Sequence, residues 1–230
     1  MTATDVATRN QLIEQILLVW TGSESKVTSY RGSFIEPGKL AVIEALMGRP
    51  FAGVGGPNPN ETAGLMLKRV YQGTSDMYYA QLMKQSQLKD LFGEVVMVWD
   101  NAQKTRVVNL SLVAATLQAE LTTNGETGKV LLSEFARTYR ATHTVNTVSY
   151  LNFRESFISA QPELGWVIDS GGLPVRDSGA TNLADAIKGK EDEQNSLWGG
   201  DGNDVIYGGA LSDFLSNGNG DSVLVGGGGD

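Results

Sequence analysis

Asp204 and Asp213 stand nine residues apart, each the sixth residue of a nine-residue stretch that opens on a glycine pair: "GGDGNDVIY" from Gly199 to Tyr207 and "GGALSDFLS" from Gly208 to Ser216. A third stretch, "NGNGDSVLV", has Ser222 at the sixth position and carries its acid one place early, at Asp221. Upstream, "KEDEQNSLW" has Asn195 in the same phase. Carboxylate and amide oxygens at this interval, beside glycines whose backbone turns freely and presents carbonyls, make a set of hard oxygen donors. The chain has one His and no Cys, so the softer donors that transition metals prefer are nearly absent. The chemistry these residues suit is the binding of Ca2+. The candidate metal ligands are Asn195, Gly200, Gly202, Asp204, Gly209, Asp213 and Asp221.

Such ligands need elements to hold them. In each unit a glycine-rich turn is followed by an apolar or β-branched triplet such as "VIY", which favours a short strand. Stacked in parallel, these strands are expected to bury Leu197, Ile206, Leu215 and Leu224, while turns two units apart share one ion. On that rule Asp204 looks to the turn holding Asp221 and Ser222, and Asp213 to the turn holding Asn195. Each pairing is short of carboxylates, so few ions and weak binding are expected. The printed chain stops five residues into a further unit, "GGGGD", and reads as a piece of a longer protein cut within its repeats.

Charge follows the same division. The last forty residues hold eight acids and no Lys or Arg, whereas the first 190 residues hold 18 acids and 18 bases. The net charge of −8 therefore belongs to the tail, which also carries 11 of the 28 glycines. An acidic tail repels nucleic acid and attracts hard cations. No apolar run is long enough to span a membrane, and "MTATDVATRN" has no leader features.

The first 185 residues read as a helical module. Leu12, Ile13, Ile16, Leu17 and Trp20 form one apolar stripe, and Leu40, Ile43 and Met47 another. A long helix over 61–89 turns Leu67, Val70, Tyr71, Tyr78 and Leu82 inward. "EVVMVWDNAQKTRVVNL" predicts a hairpin, followed by helices over 110–122, 127–142 and 149–161. The expected fold class is mainly α: a multi-helix domain with a short β-hairpin over 1–185, then over 186–230 the truncated start of a parallel β-roll.

The stretches "RGSF", "GKLAVIEALMGRPF", "GGPNPNETAGLMLKRVY", "YYAQLMKQ", "LLSEFARTYR" and "ELGWVIDSGG", followed directly by the nonapeptides, resemble the region before the repeats in large secreted bacterial RTX proteins of the hemolysin type. The nonapeptide itself matches the calcium-binding consensus of that family. The resemblance implies export by a type I secretion apparatus through a C-terminal signal that this chain would lack, an extracellular location, and repeats that order around calcium. It implies no activity for the helical module.

Other constellations point less far. "DSGG" at Asp169–Gly172 resembles a serine-protease nucleophile loop, but the only base on offer is His143, which reads as a helix cap or surface residue. Glu36, Glu44, Glu61 and Asp76 show no spacing that pairs two of them for acid–base work. "GVGGPNPN" lacks the Lys-Ser/Thr of a phosphate-binding loop. The expected function is thus non-enzymatic calcium binding within a secreted RTX protein. The alternative is an adhesion module recognising a host-cell receptor or glycan, with calcium as support. No nucleic-acid partner and no membrane span are expected.

Overall fold

The computed structural model describes residues 6–26, 31, 33–145, 147–177 and 180–229. Helices come first. They are α1 (Val6–Trp20), α2 (Pro37–Met47), α3 (Glu61–Gln85), α4 (Lys89–Gly93), α5 (Ser111–Thr123), α6 (Gly125–Thr142), α7 (Val148–Ile158) and α8 (Leu164–Asp169). Between α4 and α5 lies an antiparallel hairpin of β1 (Val96–Asp100) and β2 (Thr105–Asn109). Three helix starts are closed by side chains that accept an orphan N–H of the first turn: Asn60 from Ala63 at 2.9 Å, Asn124 from Thr127 at 3.2 Å and Thr147 from Tyr150 at 3.3 Å.

Helix α6 runs through the middle of this assembly, packed on α3, α5 and α8. Leu132, Phe135, Ala136 and Tyr139 on it are fully or almost fully buried. Around them Phe92, Tyr150, Phe153 and Phe157 form a run of aromatic contacts with ring centroids 5.0 to 5.9 Å apart. The predicted apolar stripes are narrower than expected. Ile13, Leu17, Leu40, Ile43 and Tyr71 are buried, but Leu12, Trp20, Met47 and Val70 are exposed. Leu12 and Val70 sit at the margins of their stripes, and Trp20 and Met47 are the last residues of α1 and α2.

The second half of the fold is built from short parallel strands: β3 (Val175–Arg176), β4 (Ala186–Lys188), β5 (Ser196–Trp198), β6 (Val205–Gly209), β7 (Phe214–Ser216) and β8 (Val223–Gly227). One sheet has the order β3-β4-β6-β8 and a second pairs β5 with β7. Partners in register are Ile187, Ile206 and Leu224 in the first sheet and Leu197 with Leu215 in the second.

This corrects the expected fold class. The chain is not a mainly α domain followed by the start of a β-roll. Among the described residues about 49% are helical and 15% are in strands, the class is mixed α/β with parallel sheet, and no β-roll is evident. The physical reason lies in where the strands come from and how few they are. The larger sheet begins with β3 and β4, which precede every glycine-led repeat, and the smaller one has two three-residue strands. Burial follows: Ile187 and Ile206 are 1% and 0% exposed, Leu197 and Leu215 are half-buried, and Leu224 on the outer strand is 43% exposed. Only Ile206 of the four expected core positions is sealed. The boundary expected at 185/186 falls at the start of β4.

Candidate cation site in the stacked turns

The turns that precede β4, β6 and β8 lie over one another, joined by hydrogen bonds between residues 18 or 19 apart. Asp204 Oδ1 accepts from the Asp185 N–H at 2.9 Å, and the Asp204 N–H donates to Ser222 Oγ at 2.9 Å. Asp201 Oδ1 accepts from the N–H and side chain of Asn219 at 2.8 and 3.0 Å. Asn203 Oδ1 accepts from the Asp221 N–H at 3.0 Å. On the other side Asp213 Oδ1 accepts from the Asn195 N–H at 2.7 Å and from Asn195 Nδ2 at 2.8 Å, and its Oδ2 accepts from the Gly209 N–H at 2.5 Å.

The sequence-derived candidates thus fall into two groups. Gly200, Gly202 and Asp204 share one turn, over which Asp221 lies; Asn195, Gly209 and Asp213 are joined by direct hydrogen bonds on the other side. Glycine is required where turns approach so closely. Gly202 has φ +140°, and a Cβ there would lie 2.5 Å from the Leu183 carbonyl oxygen. Among the described residues, no three His, Cys, Asp or Glu side chains converge as a metal-holding group. The Asp carboxylates of alternate units accept hydrogen bonds from neighbouring turns instead of meeting one another.

Asn217 is the point on which two of the turn oxygens converge. Turned with its nitrogen toward Asp204, the Asn217 amide donates to Asp204 Oδ2 at 2.8 Å and to the Gly200 carbonyl at 3.1 Å, while its oxygen accepts from Ser222 Oγ at 2.7 Å.

Electrostatics separates the acids. Asp204 is 1% exposed, and burial pushes its carboxyl above the usual range, against the opposing hydrogen bond from Asp185. The donor groups of Asn195 and Asn219 pull Asp213 and Asp201 below it. Asp185, also 1% exposed, is the acid that sequence reasoning missed. Its Oδ1 accepts from Arg176 Nε at 2.5 Å, and its Oδ2 from the Thr181 N–H at 2.8 Å and Thr181 Oγ1 at 2.6 Å. The signal was present: "DAIK" from Asp185 echoes "DVIY" from Asp204. It lacks the glycine pair and is displaced by one residue from the nine-residue phase.

The other sequence candidates have partners elsewhere. The Ser170 hydroxyl donates to the Trp166 carbonyl at 2.6 Å. His143 caps the C-terminus of α6, stacks on Tyr139 at 4.4 Å and meets Thr142 Oγ1 at 2.8 Å; burial lowers its pKa. Glu44 pairs with Arg31, Glu36 with Lys39 at 3.6 Å, and Asp76 with Arg137 at 3.0 Å. Glu36, Glu61 and Asp76 line a cleft of about 600 Å3 that also presents Lys39, Lys68 and Arg137. The Arg137 guanidinium lies 3.8 Å over the Tyr79 ring.

No family model matches the chain, and no curated protein or solved structure is similar to it. Among the described residues no helix is long and apolar enough to cross a membrane.

Proposed function

We propose that the chain binds calcium through the oxygens of its stacked turns, as a non-enzymatic part of a secreted RTX protein whose turns tighten where calcium is millimolar. The observation that carries this reading is the convergence of the Asp204 carboxylate and the Gly200 carbonyl on one point, where a single Asn217 amide nitrogen reaches them at 2.8 and 3.1 Å. A hard divalent ion with flexible coordination suits carbonyl and carboxylate donors together and would take the place of that amide nitrogen. The residues that would hold it are Asp204 and, through its carbonyl, Gly200; the ion would supply the positive charge that the buried carboxylate of Asp204 lacks. With one carboxylate in that set, affinity is low. Export by a type I apparatus and an extracellular location are proposed on the RTX resemblance.

Terbium, whose emission is sensitised by nearby aromatic rings, tests the site. Emission excited through the protein should appear, should be displaced by calcium, and should fall in Asp204→Ala. Emission equal in wild type and Asp204→Ala would place any ion elsewhere.

A further inference from the structure

The side chain that leaves β6 three residues after Asp204 does not stay within the sheet. Tyr207 donates its hydroxyl to Asp169 Oδ2 at 2.7 Å and accepts from Arg154 Nη2 at 3.2 Å. Asp169, at the C-terminal end of α8, is 7% exposed and is gripped by Arg154 of α7 through Nε at 2.9 Å and Nη2 at 2.5 Å. The Trp166 ring stands edge-on to Tyr207, centroids 5.4 Å apart. The fit is close: a Cβ on Gly165 would come within 2.8 Å of the Tyr207 hydroxyl. A carboxylate as buried as Asp169 is costly to leave short of a hydrogen bond, and one of the hydrogen bonds it accepts comes from the strand that directly follows the cation-site acid.

We propose that Tyr207 couples cation binding in the turns to the stability of the helices. Ordering the turn at Asp204 fixes β6, with Val205 and Ile206 buried, and seats the Tyr207 hydroxyl on the Arg154–Asp169 pair. Helices and strands then unfold as one unit. The inference rests on the calcium reading above. Coupling of this kind is reciprocal, so the contact also strengthens the turn's hold on the ion.

The test uses the full chain, with helix unfolding followed by circular dichroism and calcium uptake by calorimetry. In wild type, calcium held at about ten times its dissociation constant should raise the helix unfolding midpoint by roughly 3–6 °C. Tyr207→Phe keeps the ring and touches no turn oxygen. It should still take up calcium, several-fold more weakly, and lose most of the rise; a rise of wild-type size overturns the proposal. A second arm needs no cation. In chelator, Ile206→Asp disrupts β6, and Tyr207→Phe added to it should lower the midpoint no further. Additive losses overturn the coupling whatever calcium does. Non-additive losses in a chain that takes up no calcium would refute the calcium reading and leave the strand-to-helix link standing.

Discussion

Asp204 and Asp213 occupy the same place in successive repeats and have opposite electrostatics. Burial raises the folded-state pKa of Asp204, so folding takes up a proton there. Its contribution favours the fold below the ordinary carboxylate range and fades as pH rises through the raised value. Asn195 lowers that of Asp213, whose contribution is present above the ordinary range and is lost as pH falls through the depressed value. A cation beside Asp204 would remove the first penalty. Asp204→Asn keeps an oxygen for the Asp185 N–H and discards the buried charge. In chelator at neutral pH it should melt no lower than wild type, while its calcium response falls by tenfold or more. A large loss of stability in chelator would mean that the carboxylate is already paid for by protein donors alone. Asp185→Asn should behave in the opposite way, because Arg176 pairs with that acid; it should lose about 1–2 kcal/mol by urea unfolding at neutral pH, the order of one charge-assisted hydrogen bond to a partly exposed guanidinium.

Elements differ in how legible they are. The hairpin, the capped start of α3 and the sites of α5, α6 and α7 follow from local signals: Asn before a helical run, paired β-branched runs around a polar turn. The phase linking Asn195 to Asp213 and Asp204 to Ser222 is equally local, and the structure pairs those residues across turns. The fold class was not legible, because β3 and β4 have no glycine-led repeat to announce them, and a two-residue strand such as Val175–Arg176 exists only through its partner. Arg154 with Asp169 and Arg137 with Asp76 were hidden for a related reason: each joins residues on different helices, and no spacing rule connects them. Two substitutions test this scale by chemical unfolding. Leu17→Asp places a charge at a position 1% exposed and should cost more than about 3 kcal/mol of helical stability. Gly202→Ala meets both a strained φ and the Leu183 carbonyl, and should cost roughly 1–3 kcal/mol with a weaker calcium response; a neutral effect would mean that the turns do not stack this closely.

At the scale of the molecule, the acidic tail and the charge-balanced helical part meet through Asp169, Arg154 and Tyr207, and Arg69 ties α3 to the segment before β4, its guanidinium donating to the Asn182 carbonyl at 3.3 Å. Acids concentrated in stacked turns repel one another, and the outer strand leaves Leu224 largely uncovered, so the turns are the part of the fold with most to gain from a cation. The central claim is that they bind calcium. Calorimetric titration of the chain with calcium, alongside Asp204→Asn, decides it most directly. The account predicts one or a few ions with dissociation constants on the order of 10⁻⁴–10⁻³ M, as for extracellular calcium modules, and loss of that heat in Asp204→Asn. No heat in the wild type, or equal heat in both proteins, would contradict it.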